Sequence, residues 1–229
     1  AEVPQTLLRE RLALRAVEAC MALLGRPERA GELRDALACL QPGDSPGPSG
    51  EVYLSWKRGV ARPVSVKGLH RALPEADADQ IKTWLDAGQG TPVARATAVL
   101  ETVLADRPRD HTVALLIADA ALAQALGWAH VLPLLALGIK RSDLRKAGEE
   151  LQLACHRALV AAATDAARDA GELARRVSQL KKVEPNLRAK GADEALAVFL
   201  TCDAVAPTSL TSLRSARAAR RFCDRLVEL

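Results

Sequence analysis

The segment spanning residues 111–139, HTVALLIADAALAQALGWAHVLPLLALGI, constrains this chain more than any other. It is the most continuously apolar stretch, so it must either cross a membrane or stand inside a core. A membrane span needs about 20 predominantly apolar residues. Here Asp119, Gln124 and His130 interrupt the run, and Gly127 and Pro133 break it. The pattern therefore predicts a buried helix over residues 112–126, closed by Gly127 just past its C-terminus. A second short helix should open near Pro133, whose missing N–H is no loss in a first turn. Asp119 is the odd residue. A carboxylate among Leu116, Ile117, Ala120 and Leu122 must reach solvent, pair with a cation or carry a raised pKa.

Hydrophobic residues make up 49% of the 229, yet aromatic residues only 3%. A core of Ala and Leu favours close-packed helices over a β-sandwich, whose strands draw on β-branched and aromatic side chains. No alternating period-2 run occurs. The expected fold is all-α, a multi-helix orthogonal bundle with a helix-turn-helix-like unit at the C-terminus. Five cysteines (Cys20, Cys39, Cys155, Cys202 and Cys223) sit in apolar helical patterns without CxxC spacing. They predict small hydrophobes in a reducing cytoplasm rather than disulfides or a zinc site. The first twenty residues lack the basic-then-apolar order of a secretory signal.

Taken in order, Leu8, Leu12, Ala16, Ala19 and Leu23 form a stripe that predicts a helix over residues 5–24, ended by Gly25 and Pro27. A second helix over 28–40 would pack back on it, carrying Leu33, Leu37 and Leu40. QPGDSPGPSG, residues 41–50, predicts a rigid surface loop. Its glycine spacing matches neither a P-loop nor a dinucleotide fingerprint, so no cofactor is expected there. Tyr53 and Trp56 share one helical face, with Lys57 and Arg58 outward. Residues 62–66 read as an extended link, followed by helices over 67–73 and 75–87 and one opened by Pro92. From Ser142 a long helical pattern runs to Val183, with a break expected at Gly148 and a loosening at Gly171. Adjacent Cys155 and His156 point about 100° apart on a helix and cannot act together. His70, His111 and His130 lack partners at metal-ligand spacing.

The net charge of +4 is confined to one region. Residues 171–229 hold eleven basic and seven acidic residues, an excess equal to the whole net charge. That asymmetry points to a polyanion partner for the C-terminus. Residues 183–192 form a loop bearing Arg188 and Lys190. A helix over 193–201 follows, then a one- or two-turn helix from Pro207 through Leu210 and Leu213. Ser215 caps a last helix with Ala218, Ala219, Phe222, Leu226 and Leu229 inward. Arg217, Arg220, Arg221, Asp224 and Arg225 face outward. Such an arrangement lays a recognition helix in a groove.

Several segments together, RLALRAVEACMALLGR, QPGDSPGPSGEVYLSWKRGVARP, LIADAALAQALGW, and VEPNLRAKGADEALAVFLTCDAVAPTSL with RAARRFCDRLVEL, carry a family likeness. In order, over nearly the whole chain, they resemble domain-of-unknown-function family 1403, found largely in rhizobia and related alphaproteobacteria and often encoded on plasmids. The resemblance implies a bacterial cytoplasmic protein and no assigned activity. Members continue past the equivalent of Leu229 with a Gly-, Arg- and aromatic-containing tail of wing-like composition.

The expectation is thus a non-enzymatic protein with a helical body (residues 1–185) and a C-terminal unit (residues 186–229) that contacts nucleic acid, such as DNA, or a partner protein. Arg217, Arg220, Arg221 and Arg225 would meet phosphates, flanked by Arg188 and Lys190. Two alternatives stand beside it. One is a ligand-binding or enzymatic pocket around Asp119, Trp128 and His130, walled by Tyr53 and Trp56. The other is a structural subunit that holds a partner protein along the helix of residues 142–183.

Overall fold

A computed structural model describes residues 2–38, 44–187 and 189–228. Cys39, Leu40, Arg188 and Leu229 lie outside these residues. Among them run eleven α-helices and three 3-10 turns, with no strand and only one isolated bridge, Pro63 to His130. The chain is all-α. None of its described helices is long and apolar enough to cross a membrane.

The body is built around α7 (His111–Ala125), in which all eleven residues 113–123 are buried. A helix apolar on every side has no solvent face to present and so becomes a central post. Each fully buried Leu or Ile contributes about 1.5–3 kcal/mol relative to exposure. Leu115, Leu116, Ile117 and Leu122 are four such side chains. Leu126 ends the helix and Gly127 follows at φ +68°, the left-handed turn that glycine adopts without a Cβ penalty. The principal neighbour of α7 is α6 (Pro92–Asp106), opened by Thr91, whose hydroxyl accepts from the Ala94 amide at 3.4 Å.

At the N-terminus α1 (Gln5–Leu23) stops at Leu24 and Gly25, where its periodicity ends. The next helix, α2 (Ala30–Ala38), seats Leu33 in the core. However, α1 packs chiefly on α3 (Gly47–Ala61). That helix begins inside the Gly- and Pro-rich stretch that composition alone assigns to a loop up to Gly50. The physical reason is position: Pro48 falls in the first turn, where no i−4 carbonyl awaits its absent N–H. Gly50 is buried there, close to the Pro46 and Leu37 side chains.

Two short helices follow, α4 (Val66–Ala72) and α5 (Ala78–Asp86). Ser65 caps the first, accepting from the Gly68 amide at 3.1 Å. Asp77 caps the second, accepting from Gln80 at 2.7 Å. Beyond α7, the five-residue α8 (Leu134–Gly138) lies against α9 (Gly148–Val183). At Gly138 a methyl group would overlap the Ala158 carbonyl, so this crossing requires glycine. At 36 residues, α9 passes through Gly171 unbroken. It is about 54 Å long at 1.5 Å per residue.

The C-terminal part has its own small core. Ala195 and Leu196 of α10 (Ala192–Phe199) and Ala219 and Phe222 of α11 (Ala216–Glu228) pack together with Leu187, Leu210 and Leu213. Leu180, near the end of α9, packs against this cluster. The middle element expected here is a single 3-10 turn, Pro207–Ser209. Ala206 is extended before it, and Leu210 leaves the helical region at ψ 67°. The Ser209 hydroxyl donates to the Ala206 carbonyl at 2.7 Å, closing the turn on itself. The unit is therefore two α-helices joined by the connection 200–215, in which Pro207–Ser209 forms a 3-10 turn.

Candidate functional site

Among the described residues, chemical potential gathers on the outer face of α11, at the buried Asp119 and in a groove between α1, α2 and α9, among other places.

On α11, Ser215 accepts from the Ala218 amide at 3.2 Å and so starts the helix. At about 100° per residue, Arg217, Arg220, Arg221 and Arg225 fall within an arc of about 140°. Ala219 and Phe222 occupy the opposite side, in the small core. All four arginines are exposed, and none takes part in an ion pair among the described residues. The acidic Asp224 also falls within that arc, and it too is exposed. Lys190 is exposed in the turn before α10. Arg188 lies outside the described residues.

Asp119 has a defined role in the fold. Its side chain is fully enclosed, and its two carboxylate oxygens accept from the backbone amides of Leu135 at 2.8 Å and Ala136 at 3.2 Å. Those amides belong to the first turn of α8, which has no capping side chain of its own. A carboxylate from α7 therefore caps a helix 16 residues further along the chain. Burial pushes its carboxyl up to about 8, and the α8 amides pull the other way by favouring the anion. This closed setting favours a structural role.

Trp128 and His130 sit elsewhere in character. Trp128 is 37% exposed. His130 is half-buried, its backbone bridged to Pro63, and burial and the charge of Arg9 hold its imidazole below the usual range. Trp56 is fully buried in the main core, and Tyr53 is half-buried with the Lys57 ammonium 5.5 Å from its ring centroid. Of the histidines, His70 contacts the Ala76 carbonyl through Nδ1 at 2.8 Å, and His156 is exposed on α9.

The groove is a place that sequence reading does not single out. It encloses about 460 Å³ and brings Arg11, Arg15, Arg34 and Arg168 together with Asp169, Glu172 and Asp203. Its cations are countered one by one. Arg11 donates to Asp203 at 2.7 Å, Arg15 to Asp169, Arg34 to Asp35 at 2.8 Å and Arg168 to Asp165 at 2.8 Å. Asp203 lies between α10 and the 3-10 turn, and its amide donates to Glu10 at 3.0 Å. The groove thus clasps the C-terminal unit to α1. Pairing of this kind links residues about 190 positions apart, and no local pattern announces it.

Fold and site together define an all-helical protein whose C-terminal helix carries an unpaired arginine face. The chain belongs to the family DUF1403, described as protein of unknown function, whose pattern it matches over residues 1–229. No curated protein and no solved structure matches it.

Proposed function

We propose that this protein binds nucleic acid through the outer face of α11, acting as a regulatory protein in plasmid maintenance or transfer. The supporting observation is the unpaired state of Arg217, Arg220, Arg221 and Arg225 on one exposed face. Elsewhere, in the groove, the same residue type is neutralised by carboxylates. Guanidinium forks left free in water are suited to phosphodiester oxygens. Lys190 would extend the contact, and Arg188 belongs to the same proposed set.

The test is fluorescence anisotropy on a labelled 30-base-pair duplex over a salt series. Each phosphate contact contributes about 0.9 to the slope of log K against log salt. Replacing Arg217 and Arg221 by Ser should lower that slope by about two and weaken binding to all sequences alike. Unchanged binding in that variant would remove the proposal.

A second reading has an observation of its own. On α9, Leu153 is 51% exposed and Val160 69%, and Ala163 and Ala167 continue the same side. Such a stripe supports the docking of a partner protein along this helix. Val160→Glu should abolish co-purification of that partner while leaving duplex binding intact.

A further inference from the structure

A second basic surface lies on the body, far along the chain from α11. Between α3 and α4 is a concavity of about 480 Å³ lined by Leu54, Lys57, Arg58, Ala61, Arg62 and Arg71. The first five follow i, i+3, i+4, i+7 and i+8 spacing, so they share one side of α3 and its C-cap. Arg71 comes from α4, which packs on α3. The link between the two helices is pinned where the Val64 amide donates to the Ala129 carbonyl at 2.9 Å. This holds Arg71 beside the face of α3.

Of the four cations in this concavity, only Lys57 is countered among the described residues, by Glu10. Its lining contains four cations and no carboxylate. Arg58, Arg62 and Arg71 are exposed and, among the described residues, join no ion pair. Lys57 is held in place by Glu10 at 3.4 Å and by the Tyr53 ring. Leu54 and Ala61 contribute the apolar part of the lining. Three guanidinium groups can grip phosphate oxygens by two parallel hydrogen bonds each, and their planes also stack on bases. An apolar surface beside them suits the flat face of a base. We infer that the α3–α4 concavity binds a phosphate-bearing ligand with a planar organic part, either a nucleotide or one nucleotide unit of a single strand. This site is separate from the α11 face and does not depend on it.

The experiment uses the full chain with Arg217, Arg220, Arg221 and Arg225 all replaced by Ser, so that α11 contributes nothing. ATP is titrated by calorimetry, and a fluorescein-labelled twelve-residue oligo(dT) by anisotropy, both at low salt. The expected result is saturable binding that weakens at least tenfold on adding Arg58→Ser, Arg62→Ser and Arg71→Ser. Exposed positions are chosen so that folding is unaffected, and far-UV circular dichroism checks this. Tighter binding of the oligonucleotide than of ATP identifies a strand as the source of the phosphate; the reverse identifies a free nucleotide. No saturable binding of either probe, or a change smaller than tenfold in the triple variant, overturns the inference. Neither result bears on duplex binding by α11, which is measured with that helix intact.

Discussion

Replacing Asp119 by Ala should be among the most destabilising single changes in the body, by a mechanism that can be worked from the geometry. The aspartate oxygens are the acceptors for the Leu135 and Ala136 amides, and both residues are fully buried. Alanine leaves two amides without an acceptor and without access to water. An orphaned buried donor costs about 1–3 kcal/mol, so the pair costs about 2–6 kcal/mol. Set against a typical total of about 5–15 kcal/mol, that is a large share of the stability. Asp119→Asn keeps one acceptor oxygen and orphans one amide, so it should lose about 1–3 kcal/mol. Urea unfolding at pH 5, followed by far-UV circular dichroism, reads both as shifts of midpoint with little change in slope. The same series repeated from pH 4 to pH 9 tests the electrostatics. Burial raises the folded-state carboxyl from 3.8 to about 8. Between those values the native state keeps a proton that the unfolded chain has released, so native stability falls as pH rises. The decline is at most about 1.4 kcal/mol per pH unit, and it levels off above pH 8. Asparagine has no such proton, so its curve should be flatter and should approach the wild type towards pH 8. A loss below about 1 kcal/mol for Asp119→Ala would refute the capping argument. Parallel pH curves for wild type and Asp119→Asn would refute the electrostatic one.

Three further outcomes follow from the packing and the charges. Gly138→Val forces a side chain into the Ala158 backbone and should destabilise by about 1–3 kcal/mol or more, read as a lower thermal midpoint. A double-mutant cycle on Arg11→Ala and Asp203→Ala should give a coupling of about 0.2–1 kcal/mol, because Arg11 is partly exposed and water screens the pair. That coupling should shrink in 1 M salt; a salt-independent value would argue against an ionic clasp. In native conditions iodoacetamide should label half-exposed Cys202 well before Cys20, which burial encloses and whose thiol it pushes up to about 11. Site-resolved mass spectrometry checks the order, and equal rates would contradict the buried placement of Cys20.

Much of the helical framework was legible because its signals are local. Gly25 ends α1 and Gly127 ends α7 where the periodicity stops, and Pro92 opens α6. The course of α9 to Val183 is legible too, since one glycine at 171 costs less than the surrounding alanines contribute to helix formation. The helix opens at Gly148, however, after a 3-10 turn at Asp143–Arg145, and not at Ser142. The start of α3 is hidden in the composition, because Gly and Pro signal a break while Pro48 stands in the one turn that tolerates it. At the C-terminus the apolar spacing of Leu210 and Leu213 is satisfied by a turn packed into the small core as well as by a helix. For Asp119, the sequence narrowed the choices to solvent, a cation or a raised pKa. The acceptor role towards α8 depends on a chain reversal across Gly127, which no residue type encodes.

Charge distribution carries the functional argument further than net charge does. Counting by segment places the whole excess in residues 171–229 and makes the body neutral on average. The fold resolves that average into unlike places. In the groove beside α1 the arginines meet carboxylates at hydrogen-bond distance: Arg11 holds Asp203 of the C-terminal unit, Arg15 holds Asp169 of α9, and Arg34 and Arg168 pair with Asp35 and Asp165 close by in the chain. On α11, and between α3 and α4, the arginines face water without partners among the described residues. Neutralised arginines have no field left for a ligand, whereas free ones gain both counterion release and paired hydrogen bonds when a phosphate arrives. Ion pairing, not composition, therefore separates the cations that build this molecule from those available to bind. The same criterion predicts that removing Asp203 would expose Arg11 and add a contact to any polyanion bound nearby. Its signature would be a salt slope steeper by about one in Asp203→Ala than in wild type, with no change when Arg11 is removed as well.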